Sequence, residues 1–363
     1  RVLVRGGFDV PLDSKGEVAD QFRIKRGVPT LEYLRDAGAR TIILSHIGRD
    51  PAASNEPVAR ALSRHLEVHF VPDLTSTLAQ SAAKAMRDGD IMLLENLRRD
   101  PRETANDEGF ARELAGMGDM YVNDAFSAIH RAHASVVGIP KSLPHYAGLL
   151  VRDEVAALSA ARTPSSPSVA ILGGAKFETK APLVKDLLER YDHLFLAGAL
   201  ANDVFKARGF PVGVSLVSKE APAVDVLDHP HFLAPVDVTA LGLDHQARAK
   251  KPEDVQADEK IVDIGPDSLA LLAPYLEAAR TILWNGPTGL YEAGFAHWTH
   301  AIAEIISHRV ASGSSAIIGG GDTIAAIEGS GISIDSLGFV STGGGAMLEY
   351  LLEGTLPGIS ALD

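Results

Sequence analysis

The sequence predicts an α/β protein with two lobes, each a parallel sheet flanked by helices. Short β-branched runs alternate with longer amphipathic stretches, and glycine-rich or polar residues follow most of these runs. A segment rich in proline and serine also interrupts the chain near its middle. Such alternation is typical of parallel strands covered by helices on both faces, and the interruption is typical of a domain boundary.

The predicted strands are short and consist mostly of apolar residues. In chain order they are Val2–Val4, Thr41–Leu44, Ile91–Leu94, Met120–Val122, Val169–Leu172, His193–Leu196, Thr281–Trp284 and Ala316–Ile318. Amphipathic patterns between them predict helices at Val58–Leu66, Glu108–Gly116 and Leu183–Tyr191. The binding residues of an open parallel sheet lie at the carboxyl ends of its strands, so the residues after each strand are the candidates for function.

The domain boundary is predicted from a helical pattern and the turn-rich segment behind it. Arg152–Ala161 has helical periodicity, and Thr163-Pro164-Ser165-Ser166-Pro167 precedes a new strand. We therefore place a first lobe at residues 1–150, a connecting helix or hinge at 151–164, and a second lobe at 165–345.

Composition limits the classes of partner and site. The 363-residue chain has a formal net charge of −13, which argues against nucleic acid because binding a polyanion needs a basic face. The chain has no cysteine, which excludes disulfides and thiolate metal sites. No apolar run is long enough to span a bilayer. We expect small-molecule substrates and a cytoplasmic monomer. Because the chain opens at Arg1 and a strand begins at Val2, we also expect residues to precede Arg1.

Basic residues follow the strands of the first lobe. Arg5 comes after the first strand, and Arg23 lies in the next helix-forming segment. The other candidates of this group are His46, Arg49, Arg98, His130, Arg131 and His133. Because arginine recognises phosphate and carboxylate through two parallel hydrogen bonds, the group predicts an anion site. His130 and His133 have helical spacing and are an alternative metal pair, but no third ligand has suitable spacing.

Glycine-rich strand ends characterise the second lobe. They are Gly173-Gly174-Ala175-Lys176, Asn285-Gly286-Pro287, Gly319-Gly320-Gly321-Asp322-Thr323 and Ser341-Thr342-Gly343-Gly344-Gly345. Glycine lets backbone N–H groups approach an anion closely, and a helix N-terminus adds a favourable dipole. Lys176 and Lys180 can meet phosphate charge, and Asp322 is a suitable oxygen ligand for Mg²⁺. These loops predict a nucleotide site, although the P-loop, dinucleotide and protein-kinase signatures are absent.

The chain resembles the phosphoglycerate kinase family from Arg1 to Ile359. The resemblance is carried by LSHIGR at 44–49, LLENLR at 93–98, VNDAF at 122–126, HRAHAS at 130–135, AILGGAK at 170–176, DIGP at 263–266, WNGP at 284–287, GGGDT at 319–323 and STGGGA at 341–346. It implies two Rossmann-like lobes joined by a helical hinge, and a glycolytic kinase. The kinase would transfer a phosphoryl group reversibly between 1,3-bisphosphoglycerate with MgADP and 3-phosphoglycerate with MgATP. It also implies a tail at 346–363 that returns to the first lobe.

The resemblance assigns individual residues to two binding sites. The acid-substrate site would contain Arg5, Asp9, Arg23, His46, Arg49, Arg98, His130, Arg131 and His133. The nucleotide site would contain Gly174, Ala175, Lys176, Lys180, Asn285, Pro287, Glu292, Gly321, Asp322 and Thr323. Glu292 would hold the ribose hydroxyls, and Asp322 would hold Mg²⁺ through the phosphates of ATP or ADP.

The chemistry needs positioning and charge stabilisation rather than a base. The carboxylate of 3-phosphoglycerate is already a nucleophile, and phosphoryl transfer requires stabilisation of the equatorial oxygens. Arg23, Lys176 and the amides of Gly343, Gly344 and Gly345 are the candidate catalytic groups. Because the substrates would start on opposite lobes, a hinge closure is expected to bring them together and exclude water.

The chain departs from the family pattern in three places. Gly7 stands where the family has an acidic residue that contacts the hydroxyl-bearing part of phosphoglycerate, and Asp9 stands where asparagine is usual. Asp9 either supplies a substitute carboxylate or repels the substrate. Phe22 precedes Arg23 where a small polar residue is common. Ala197-Gly198-Ala199-Leu200 replaces a triple glycine near the adenine pocket, and Phe177 replaces a small aliphatic residue.

Two other functions remain as alternatives to an active member of this family. A non-catalytic descendant that binds nucleotide or a protein partner is supported only by Gly7. The preservation of Arg23, Lys176, Asp322 and the STGGGA run argues against it. A kinase for a different small phosphorylated acid would explain Gly7 as altered specificity, and a panel of substrates would separate it from the first hypothesis.

Overall fold

The structure is a computed structural model that describes all residues from Arg1 to Asp363. The chain forms two compact units, one of residues 1–156 with 353–363 and one of residues 157–352. Residues 151–162 of the expected hinge segment belong to a single helix, Leu149–Arg162, within which the unit boundary falls, and residues 163–164 follow the helix. Residues 353–363 belong to the first unit, a shorter segment than the 346–363 expected for the returning tail.

The first unit contains a six-stranded parallel sheet. Its strands are β1 Val2–Gly6, β2 Thr41–Leu44, β3 His69–Val71, β4 Ile91–Leu94, β5 Met120–Asp124 and β6 His145–Ala147. They are ordered β3-β4-β2-β1-β5-β6. Its helices are α1 Phe22–Asp36, α2 Glu56–Leu62, α3 Thr77–Ala85, α4 Glu108–Ala115 and the first part of α5 Leu149–Arg162. A π-helical turn, Ala134–Gly138, follows β5.

Alternate residues of the strands are buried in two different cores. Val2 and Val4 belong to a cluster with residues of α1 and α2, whereas Leu3 belongs to a cluster with residues of α3 and α4. Successive side chains of a strand point to opposite faces of its sheet, so helices cover both faces. Local caps fix where these helices begin; the Asp107 carboxylate, for example, accepts a 2.8 Å hydrogen bond from the N–H of Phe110 at the start of α4.

The second unit contains another six-stranded parallel sheet, ordered β15-β14-β13-β7-β8-β9. Its elements are β7 Ser168–Leu172, α6 Phe177–Arg190, β8 His193–Leu196, α7 Ala199–Ala207, α8 Val224–Leu227, β9 Phe232–Leu233, β10 Val238–Leu241, β11 Ala247–Lys250, β12 Lys260–Ile264, α9 Pro266–Ala278, β13 Thr281–Asn285, α10 His297–Ala311, β14 Ser315–Gly319, α11 Gly321–Ile327, β15 Phe339–Val340 and α12 Gly345–Glu353. A last helix, α13 Pro357–Ser360, belongs to the first unit.

The parallel α/β architecture is confirmed, and one further sheet was not predicted. Strands β10, β11 and β12 form a small antiparallel sheet in the order β11-β10-β12. Side chains of β11 are mostly exposed, so its sequence lacks the apolar signal of the parallel strands. No helix of the structure combines the length and the hydropathy that crossing a bilayer requires.

Candidate active site

The candidate anion-binding residues of the first unit surround the carboxyl ends of β1, β2, β4 and β5. Arg5 was predicted to follow β1, but β1 continues to Gly6 and Arg5 lies inside the strand. The Arg5 side chain is completely buried, which requires hydrogen bonds for its charged group. Its Nε donates to Ser135 Oγ at 2.9 Å, and its two terminal nitrogens contact the Gly6 carbonyl at 2.6 Å and His46 Nδ1 at 2.7 Å.

Asp9 and His46 form the centre of this candidate site. One Asp9 oxygen accepts a 2.8 Å hydrogen bond from the Gly48 N–H, and the other lies 3.4 Å from His46 Nε2. Burial would raise the pKa of Asp9, but the interactions with His46, the Gly48 N–H and Arg23 outweigh it and lower the pKa to about 2. Burial and the charge of Arg5 lower the pKa of His46 to about 4, so His46 is neutral at pH 7.

The remaining arginines lie close enough to repel one another. Arg98 donates to the Gly48 carbonyl, and burial together with the charges of Arg131 and Arg49 lowers the pKa of Arg98. The side chain of Arg23 donates to the backbone carbonyl of Asp9. Mutual repulsion among guanidinium groups in a partly buried site is relieved when an anion binds between them.

The two histidines of the HRAHAS segment do not have the helical spacing that the metal-pair alternative assumed. Residues 130–133 are not helical, and helical structure starts only at Ala134. Burial and the charges of Arg5 and Arg131 lower the pKa of His133 to about 4, and burial with Arg131 also lowers the pKa of His130. No group of three or more candidate metal ligands occurs in the structure. Because their pKa values are lowered, both imidazoles are neutral hydrogen-bonding groups at pH 7.

The second unit has a cavity of about 280 Å³ at the carboxyl ends of its strands. Five of the predicted nucleotide-site residues line it: Gly174, Ala175, Pro287, Glu292 and Asp322. Most of the remaining wall is apolar. Its members that were not expected from the sequence include Phe205, Leu216, Ile261, Val262, Leu290 and Tyr291. A largely apolar pocket with a few polar groups is typical of small-molecule sites.

Lys180 lies beside this cavity. Its Nζ donates a 2.6 Å hydrogen bond to the Gly173 carbonyl, and an added Cβ on Gly174 would lie 3.1 Å from the same Nζ. Burial lowers the pKa of Lys180 to about 8, against an opposing effect of the nearby Asp322 carboxylate. Lys180 is thus a cation held at the cavity edge without a direct carboxylate contact, where an anionic ligand would stabilise its charge.

Other predicted residues of this site shape the glycine loops. Thr323 Oγ1 accepts a 2.7 Å hydrogen bond from the Gly286 N–H and donates to the Gly319 carbonyl at 2.8 Å, so it joins two loops. Asn285 is buried at the end of β13. Gly321 opens α11, and Lys176 precedes α6 in the left-handed region at φ 67°. These four residues are absent from the cavity wall, in contrast to Asp322.

The 197–200 segment, one of the departures from the family pattern, reaches the cavity at one of its two added methyl groups. Ala199 lines the cavity and its methyl group narrows it, whereas Ala197 is fully buried and does not line it. Gly343, Gly344 and Gly345 precede or open α12, and the Gly343 N–H donates to Ser341 Oγ at 3.0 Å. The N-terminus of α12 carries backbone N–H groups suited to an anion.

Comparisons with known proteins identify the family that the chain resembles in sequence and in fold. The family model described as phosphoglycerate kinase matches residues 1–355. The phosphoglycerate kinases of Moorella thermoacetica and Salinispora tropica are each 42% identical to this chain, over 100% of it and 96% of each relative. A solved phosphoglycerate kinase from Coxiella burnetii is 35% identical, with a TM-score of 0.83 over 99% of this chain and 95% of that one. The corresponding structure from Pyrococcus horikoshii is 29% identical, with a TM-score of 0.86 over the same shares.

Proposed function

The chain belongs to the phosphoglycerate kinase family, and from this premise we propose that its first unit binds the phosphorylated acid while its second unit binds the nucleotide. The family's reaction is the reversible, glycolytic transfer of a phosphoryl group between 1,3-bisphosphoglycerate with ADP and 3-phosphoglycerate with ATP. The acceptor is a carboxyl group. The observation that carries the assignment of the acid site is the repulsion among Arg98, Arg131 and Arg49 in an otherwise acidic protein. Such a cluster supports binding of a small, highly charged anion.

The proposed acid site consists of Arg5, Asp9, Arg23, His46, Arg49, Arg98, His130, Arg131 and His133. The guanidinium groups hold the phosphate and carboxylate, and the neutral imidazoles donate hydrogen bonds. Asp9 replaces the acidic residue that the family has at the position of Gly7, since the Asp9 carboxylate is ionised and about one-third exposed. Its charge is stabilised by the positive charge of Arg23 and by interactions with the Gly48 N–H and His46, which argues against net repulsion of the substrate.

The proposed nucleotide site is the glycine-bounded cavity of the second unit. Its apolar wall accommodates the adenine ring, and Glu292 accepts hydrogen bonds from the ribose hydroxyls. Lys180 and Lys176 meet the phosphates. Asp322 fits Mg²⁺, because its exposed carboxylate lies on the cavity wall and Mg²⁺ is usually bound through one or two carboxylates plus substrate phosphates. When bound, the metal would neutralise charge on the nucleotide phosphates.

The reaction needs no general base, because a carboxylate oxygen attacks the phosphoryl group directly. Arg23, Lys176 and the N–H groups of Gly343–Gly345 stabilise charge on the equatorial oxygens. Since the substrates bind to separate units, transfer requires a closing motion that also excludes water, and α5 is the proposed hinge. We further propose a cytoplasmic monomer whose partners are these small molecules only, neither nucleic acid nor membrane.

The direct test is steady-state ADP formation from MgATP while 3-phosphoglycerate is titrated. Saturable turnover supports the proposal. Retained MgADP binding without turnover contradicts it and favours a non-catalytic descendant. Turnover only with another phosphorylated acid, in a panel of such acids, would instead show altered specificity at Gly7.

Gly7→Asp is expected to change kcat by less than about threefold and to lower stability. An added Cβ at Gly7 would lie 3.3 Å from both Ala125 Cα and Ser127 Oγ, so the aspartate is crowded. Overpacking of this kind costs about 1–3 kcal/mol. Kinetics and denaturant unfolding check both effects. A large rise in kcat would show that Asp9 does not replace the missing acid.

Nucleotide affinity is expected to fall as the pH rises above 8. The pKa of Lys180 is about 8 in the free protein, and bound phosphates raise it because they favour the charged amine. Binding above pH 8 must therefore take up a proton, with a loss of affinity approaching tenfold per pH unit. Calorimetry of MgADP binding in buffers of different ionisation enthalpy measures the uptake. Lys180→Met should abolish the uptake, and an unchanged uptake in this variant would assign it to another group.

A further inference from the structure

Glu103 is a completely buried carboxylate that has no part in the proposed reaction. It lies between β4 and α4, outside every motif that carries the family resemblance. One of its oxygens accepts a 2.6 Å hydrogen bond from Ser135 Oγ, and the other accepts a 2.9 Å bond from the Ser135 N–H. Burial raises the pKa of Glu103, whereas the charge of Arg5 opposes this rise. Burying a carboxylate costs desolvation free energy unless hydrogen bonds and an opposite charge compensate for the lost hydration.

Ser135 connects Glu103 to Arg5. Its hydroxyl hydrogen is donated to Glu103, so the oxygen is available to accept the 2.9 Å hydrogen bond from Arg5 Nε. The carbonyl of Ser135 is itself held by the buried Tyr121 hydroxyl at 2.7 Å. The result is a continuous hydrogen-bonded path from a buried anion to a buried cation.

Arg5 continues the path to His46 and determines where the imidazole carries its proton. The guanidinium can only donate, so His46 Nδ1, at 2.7 Å, must accept. A neutral imidazole whose Nδ1 accepts has its hydrogen on Nε2. Nε2 lies 3.4 Å from Asp9 Oδ2, on the side of the candidate acid-substrate site. The other tautomer would place two N–H groups against each other.

We propose that Glu103 is a positioning residue for the acid-substrate site, which acts through Ser135 and Arg5 to hold His46 as the Nε2–H tautomer. The inference rests on the proposed function only for the identity of the substrate that this N–H meets. The same carboxylate lies 3.8 Å from His133 Nδ1, so it faces His133 directly and reaches His46 only through Ser135 and Arg5.

The test compares two variants of the full chain with a matched control. Glu103→Gln removes the charge, and Ser135→Ala removes the hydroxyl bridge while both charges remain. Glu95→Gln is the control, because Glu95 is also buried in this unit, accepts from a backbone N–H and a serine hydroxyl, and pairs with an arginine. Glu95 makes no contact with a histidine in these interactions.

The decisive readout is the tautomer of His46, measured by ¹⁵N NMR of the histidine-labelled protein without substrate. We expect a single Nε2–H form in the native chain and the control, and a mixture or the other form in both variants. Steady-state kinetics should show the KM for 3-phosphoglycerate raised about tenfold in both variants, with the KM for MgATP unchanged.

An unchanged His46 spectrum in folded Ser135→Ala overturns the inference, as does an unchanged KM for the acid. If Glu103→Gln does not fold, Ser135→Ala decides alone. The NMR result is independent of turnover, so an inactive native chain would contradict the proposed function without deciding the tautomer. Rescue of the spectrum in Glu103→Asp, which restores the charge, would support the proposal further.

Discussion

Replacing Arg23 by alanine is expected to lower kcat by about 10³, equivalent to about 4 kcal/mol of transition-state stabilisation. Arg23 lies in the first turn of α1 and donates to the backbone carbonyl of Asp9, which orients its guanidinium toward the proposed acid site. Negative charge on the equatorial phosphoryl oxygens needs a matched cation in the transition state, and arginines in this role contribute 10³ or more to kcat. The KM for MgATP should stay constant.

The control for Arg23 lies on the same helix. Arg35 is in the last turn of α1, where it pairs with Asp36 at 2.8 Å, and Arg35→Ala should leave kcat unchanged. Arg23→Lys keeps the charge but loses the planar fork, so its kcat should fall between those of the alanine variant and the native chain. A kcat of Arg23→Ala within tenfold of the native value would show that another group stabilises the transferred phosphoryl.

The fold was predictable where buried strands have a strong apolar signal. The strands β2, β4 and β8 begin and end at the predicted residues. The predicted strand β1 was too short because Arg5 interrupts the apolar run. In the sheet, Arg5 nevertheless pairs with Leu44 of β2 and Asn123 of β5. Its partner Ser135 lies 130 residues away in sequence, so local pattern contains no information about this burial.

The candidate site was predictable at the charged residues and the glycines but not at the groups that support them. Arginine and histidine after strands indicate an anion site by their chemistry alone. In the sequence, Glu103 looks like an ordinary acidic residue of a solvent-exposed surface. Only the folded chain brings it to Ser135. The apolar cavity wall was missed for the same reason, because Phe205 and Ile261 look like ordinary core residues until the fold leaves space between them.

Gly286→Ala is expected to destabilise the protein by about 2–5 kcal/mol and to abolish tight nucleotide binding. Gly286 has φ 96°, which costs an L-residue about 1–2 kcal/mol. An added Cβ would lie only 2.4 Å from the Gly173 carbonyl carbon, so the Gly173 and Gly286 loops must separate. Backbone atoms cannot rotate away as a side chain can, which makes relief costly. Denaturant unfolding and MgADP titration measure the two effects.

Gly294→Ala separates backbone strain from this steric contact. Gly294 has a similar φ of 88°, but no atom lies within 4 Å of an added Cβ. It should therefore lose only the 1–2 kcal/mol of the left-handed conformation and keep its nucleotide affinity. Equal losses of unfolding free energy in the two variants would mean that backbone strain alone accounts for the cost at Gly286. A larger loss of both stability and MgADP affinity in Gly286→Ala would instead show that nucleotide binding depends on the close approach of two glycine-rich strand ends. Side chains at Gly173 and Gly286 would prevent that approach.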